Sequence, residues 1–114
     1  MELLNVVVKA LDDVKACDIT VLDMKGISPL FDYMVIATST NSRQSSALIH
    51  NVKEECEKNG FDIRGVEGKD EAWVLIDCKD IIVNVFTKEE REHYGLEKLY
   101  LDVKRVDVNK LLGE

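Results

Sequence analysis

Apolar and polar positions along the chain change period several times, and each change marks an element. In residues 2 to 15, Leu3, Val7, Ala10, Leu11 and Val14 recur at helical spacing, with Leu4 and Val8 widening the stripe, which predicts a first helix. DITVLD (18 to 23) and YMVIATS (33 to 39) read as strands, separated by a stretch whose Gly26 and Pro29 break regular structure. The second is nearly all apolar, as suits a central strand covered on both faces. Asn41 is a fitting N-cap, with Gln44 placed to reach back to it, so a helix is predicted to about Asn59 and Gly60 ends it. Leu48, Val52 and Cys56, supported by Ala47 and Ile49, form its buried stripe. Phe61 to Val66 reads as a short third strand, running into the charged loop GVEGKDEA.

WVLIDCKDIIVNVF, residues 73 to 86, then alternates as two strands joined at Cys78 and Lys79, with Asp77 and Asp80 flanking the turn. Ala72, Val74 and Ile76 share one face with the pure apolar row Ile81, Val83 and Val85. Trp73, Leu75 and Asp77, with Asp80, Ile82, Asn84 and Phe86, make the mixed face. Thr87 to Glu90 is a capping-box pattern opening a short helix through Tyr94, and Gly95 interrupts it. One partial turn and a loosely ordered tail are expected after that. The order predicts an α/β domain with a mixed five-stranded sheet flanked by helices over residues 1–105, and a tail over 106–114. In it the strand 18–23 runs antiparallel to 33–39, and the long helix supplies a crossover to a parallel neighbour.

The mixed face of the hairpin has two readings. A tryptophan, a phenylalanine and two aliphatics among carboxylates suit a surface that is wet when free and covered when a partner binds. Alternatively another helix of the chain covers the apolar members, and Asp77 and Asp80 are ordinary turn residues. Pattern alone leaves both open.

Composition narrows the function classes. At 114 residues and 46% hydrophobic content there is material for one domain, which buries roughly two-thirds of its unfolded surface. No apolar run approaches the length of a membrane span, and the acidic, amphipathic N-terminus resembles neither a secretory nor a transit peptide, so a cytoplasmic location is expected. Cys17, Cys56 and Cys78 have no paired spacing, which gives neither a zinc site nor a disulfide framework. A net charge of −7 argues against binding along a phosphate backbone and makes a basic protein the more natural partner.

Catalytic chemistry finds poor material. Ser39, Ser42, Ser45 and Ser46 crowd a strand-to-helix junction without a nucleophile elbow or a glycine-rich phosphate loop, and capping explains them better. Asp32 precedes a strand, yet Met34 stands where a metal-dependent nucleotidyl transfer needs a second carboxylate. His50 falls opposite the buried stripe and reads as solvated, and neighbours His93 and Tyr94 do not share a helix face. No cofactor or metal is expected.

VLDMKGISPLFDYMVIATSTNSRQ followed by GVEGKDEAWVLIDCKDIIVNVFTKEEREHYGLEKLY resembles the ribosomal silencing factor, or Iojap-like, family, over about residues 4 to 105 and with several motifs in order. The resemblance implies a nucleotidyltransferase-like topology without the catalytic residues. It also implies binding to the large ribosomal subunit through ribosomal protein fourteen, which excludes the small subunit sterically and lowers translation in starvation or stationary phase, with homodimers when free. Carried onto this chain, the contact surface is Trp73, Leu75, Asp77, Cys78, Asp80, Ile82 and Phe86. Two departures stand out: Lys79 where the turn commonly has glycine, and Asn84 where histidine is frequent. The rival expectations are a metal-dependent, nucleotide-binding enzyme built on Asp32 and Glu67, and a homodimerisation module pairing through the hairpin face.

Overall fold

The computed structural model describes residues 2–69 and 72–113, Lys69 by its backbone alone. The elements are α1 (Leu3–Asp13), β1 (Cys17–Asp23), β2 (Tyr33–Ser39), α2 (Ser42–Lys58), β3 (Gly65–Lys69), β4 (Trp73–Asp77), β5 (Ile81–Thr87) and α3 (Lys88–Tyr94). A 3-10 turn (Leu96–Tyr100), β6 (Arg105–Val106) and α4 (Val108–Leu111) follow. Among the described residues the sheet has six strands in the order β3-β4-β5-β2-β1-β6. β2 and β5 pair in parallel and the other neighbours are antiparallel, so the sheet is mixed, as the sequence predicts, with one strand more.

The extra strand comes from the segment expected to be a loose tail. Val21 and Leu22 pair with Val106 and Arg105, α4 packs beside α1, and the Asn5 side chain donates to the Leu111 carbonyl at 3.2 Å. Val106, Val108, Leu111 and Leu112 bury apolar surface on the core, which offsets the entropy of ordering a chain end. Glu114 lies outside the described residues.

A second correction concerns residues 61–69. Phe61–Arg64 has no regular structure, and the expected charged loop GVEGK is instead the edge strand β3, with Gly65 opposite Asp77 and Glu67 opposite Leu75. Glycine and glutamate have low strand propensity, so pairing with β4 decides this segment against its local preference. Asp70 and Glu71 lie outside the described residues.

The remaining elements form where local signals put them. Asn41 caps α2 by accepting from the Gln44 N–H at 2.8 Å, Thr87 caps α3 by accepting from Glu90, and Gly95 closes α3 in the left-handed region at φ 55°. The Gln44 side chain bonds Thr40 rather than closing back on Asn41.

The two sheet faces are covered unequally. Val7, Leu11, Leu48 and Val52 of α1 and α2 pack on Val21, Val35, Ala37, Ile76, Val83 and Val85, a continuous buried layer. On the opposite face the 3-10 turn and the chain to Val103 cover Leu22, Met34, Ile36 and Phe86, using Leu96, Tyr100 and Val103. α3 buries no side chain completely, and Arg91 pins it down. Arg91 donates to Glu97 Oε1 (2.7 Å), the Asp18 carbonyl (2.6 Å), Thr38 Oγ1 (2.8 Å) and Thr20 Oγ1 (2.9 Å). The Asp18 carbonyl is available because β1 is irregular between Cys17 and Thr20, with Asp18 at φ 46°.

Candidate functional site

The β3-β4-β5 end of the second face remains partly open. Strand register aligns Glu67, Leu75 and Asn84 in one row and Gly65, Asp77 and Ile82 in the next, all on the side away from α1 and α2. Leu75, Asp77 and Ile82 are half-buried, and Glu67 is exposed. Trp73 sits between the open and the covered parts. Its ring stacks on Phe86 with centroids 5.0 Å apart, Tyr94 packs beside both rings, 4.4 Å from Trp73 and 6.3 Å from Phe86, and the Trp73 Nε1 donates to Asn84 Oδ1 at 2.9 Å.

Asp77 and Asp80 shape the turn as well as the surface. Asp77 Oδ1 accepts from the Lys79 N–H at 2.9 Å, an Asx-type bond, and its other oxygen faces exposed Arg64 at 3.9 Å, too far and too wet for much stabilisation. The Asp80 carboxylate is exposed while its carbonyl accepts from the Asp32 and Tyr33 N–H groups, docking the turn on the start of β2. Lys79 occupies the left-handed region at φ 75°, a conformation suited to glycine.

Two residues expected on the contact surface are buried. Cys78 is 2% exposed and shares the parity of Ile76, so it points into the α1/α2 core. A hydrogen bond to the Cys56 thiol, and then burial, push its thiol well above the ordinary range. Phe86 has the expected parity but is 0% exposed, sealed beneath Trp73 and the 3-10 turn. Trp73, Leu75, Asp77, Asp80 and Ile82 keep at least part of their surface. Tyr94, 49% exposed against the Trp73 ring, and Glu67 join them. Sequence reading put neither on the contact surface: Tyr94 reaches the hairpin only through tertiary packing, and Glu67, weighed there only as a metal-binding rival, lies in the strand mistaken for a loop.

The catalytic alternatives are not assembled. Asp32 precedes β2 and Glu67 lies in β3, three strand spacings or about 14 Å apart across the sheet. Among the described residues no three His, Cys, Asp or Glu side chains cluster to hold a metal. Ser39 and Ser45 are buried and bond each other at 2.5 Å, a strand-to-helix tie. His50 is exposed and pairs with Glu54 at 3.0 Å.

Comparison with known proteins decides the family. Residues 1–114 match the family described as "Ribosomal silencing factor during starvation". The chain belongs to the ribosomal silencing factor family. It is 41% identical over 108 residues to the ribosomal silencing factor RsfS of Bacillus subtilis, covering 94% of this chain and 92% of that protein. It is 42% identical over 101 residues to the Haemophilus influenzae RsfS, covering 88% and 99%. A crystal structure of a Bacillus halodurans protein superposes with a TM-score of 0.82 at 40% identity, covering 92% and 96% of the two chains. For a member of the ribosomal silencing factor family, a half-open sheet face with aromatic, aliphatic and carboxylate side chains is the natural place to look for a partner surface.

Proposed function

We propose that this chain is a cytoplasmic silencing factor that binds the large ribosomal subunit through ribosomal protein fourteen and blocks joining of the small subunit by steric exclusion. The binding face is the open sheet end carrying Trp73, Leu75, Asp77, Asp80 and Ile82. The observation that carries the reading is that α1 and α2 cover one sheet face continuously while the β3-β4-β5 end of the other is left partly open, with Leu75 and Ile82 half-buried beside carboxylates. Such a mixture stays soluble when free and, on a chain of net charge −7, favours a basic protein partner. Nothing in this mechanism makes or breaks a bond. Free chains are homodimers, which light scattering across a dilution series tests.

The test is co-sedimentation with isolated large subunits, small subunits and joined ribosomes. Leu75→Glu with Ile82→Glu puts charge on the face without touching the Trp73 stack, and selective pelleting with large subunits is expected to be lost in that variant. Trp73→Ala is expected to weaken binding as well, but Phe86 and Asn84 lose their cover with it, so its melting temperature must be read alongside. Equal pelleting of wild type and the double variant would remove this face from the mechanism. Failure of wild type to pellet with large subunits would remove the ribosomal assignment.

A further inference from the structure

Beside Trp73 the open face deepens into a recess of about 540 Å3 lined by Glu67, Gly68, Ala72, Trp73, Leu75, Glu90 and Tyr94. We propose that this recess is a socket for an arginine side chain of the protein partner. The proposal rests on the protein-binding reading above and deepens it by naming the chemistry that enters.

Three elements build the socket. Glu90 and Tyr94 stand one turn apart on the same side of α3, Glu67 projects from β3, and Trp73 and Leu75 come from β4. The rings are already fixed: Trp73 is held by Phe86 behind it, by Tyr94 at 4.4 Å and by its bond to Asn84. A cation meeting them encounters the negative faces of immobilised π-systems. Glu67 and Glu90 add two carboxylates at the rim, and among the described side chains neither is paired with a cation. Arg91 and Arg105, by contrast, are both directed at Glu97.

Arginine fits this arrangement better than lysine. A planar guanidinium stacks on a ring while its edge donates to carboxylates, whereas an ammonium is a hydrated point charge that stacks poorly. The acidic chain as a whole steers a basic segment towards the site.

The experiment follows the indole N–H resonance of Trp73, the one tryptophan of the chain, as capped hexa-arginine or hexalysine peptide is added to the isolated protein. Hexa-arginine is expected to shift it saturably, with hexalysine about fivefold weaker or worse. Glu67→Gln with Glu90→Gln is expected to weaken hexa-arginine binding by about fivefold or more. Thr87 caps α3 by accepting from the Glu90 backbone N–H, which the substitution keeps. Asp12→Asn with Glu57→Gln, which removes the same charge from exposed positions on α1 and α2, is expected to bind as wild type does. An unmoved indole resonance, equal binding of the two peptides, or equal loss in the two double variants would each overturn the socket. Failure to pellet with large subunits, with the peptide response intact, would instead sink the ribosomal reading alone.

Discussion

The indole N–H of Trp73 is satisfied by the side-chain carbonyl of Asn84, 2.9 Å away on the neighbouring strand and only 2% exposed. An asparagine in the middle of an otherwise apolar strand is thereby explained: it is the acceptor that lets a tryptophan lie flat on the sheet. Replacing Asn84 with leucine leaves the indole N–H facing an apolar floor and is expected to cost about 1–3 kcal/mol, measured by urea denaturation. Asn84→His keeps an acceptor and should cost less. A leucine variant as stable as wild type would mean that the bond contributes nothing net.

Arg91 should be a strong stability determinant for an otherwise thinly packed helix. Its side chain is 12% exposed and bonds a carboxylate, a carbonyl and two hydroxyls on β1, β2 and the 3-10 turn. Arg91→Met strands those acceptors and is expected to lower unfolding free energy by about 3 kcal/mol. Hydrogen exchange should show α3 and the 3-10 turn loosening before α1 and α2. Uniform loss of protection across all helices would count against a local clamp.

The same contact sets a pH dependence. Hydrogen bonding from Arg91, with the charge of Arg91 and Arg105, holds the Glu97 carboxyl below its ordinary value. A carboxylate whose folded pKa is depressed contributes stability above its unfolded pKa, about 4.3, and loses that contribution as pH falls through the folded value. Wild type is therefore expected to be more stable than Glu97→Gln at pH 7, with the gap closing as pH falls below about 4. A gap that is constant between pH 7 and pH 3, in denaturation at matched ionic strength, would remove Glu97 ionisation from the account.

Lys79 holds a left-handed conformation at φ 75° in the β4–β5 turn. Such a conformation costs a non-glycine residue roughly 1–2 kcal/mol, partly offset by the greater unfolded-state freedom of glycine, so Lys79→Gly should stabilise by about 0.5–1 kcal/mol. The denaturation midpoint should rise while binding to large subunits is kept. A lower midpoint would show that the lysine side chain makes good its backbone cost.

Much of the fold was legible because it is local. The alternation of Val74 and Ile76 against Trp73 and Leu75, the caps at Asn41 and Thr87, and the stops at Gly60 and Gly95 depend on residues within a few positions of one another. The misreadings share a different cause. GVEGK is poor strand material that pairs because β4 offers it an open edge, and the residues after 105 order because β1 and α1 give Val106, Val108 and Leu111 somewhere to bury.

The site divides in the same way. By itself the sequence determined which side chains of the hairpin share a face, since strand periodicity is a property of the backbone, and it set the acidic charge that limits the choice of partner. Even the inward direction of Cys78 was implicit in its parity with Ile76. Tertiary structure alone decided that Phe86 is sealed, that Tyr94 closes over Trp73, and that Glu67 and Glu90 reach the same recess from elements far apart in the chain. Those outcomes depend on where α3 and the 3-10 turn stop covering the sheet, a matter of long-range packing that no local pattern encodes.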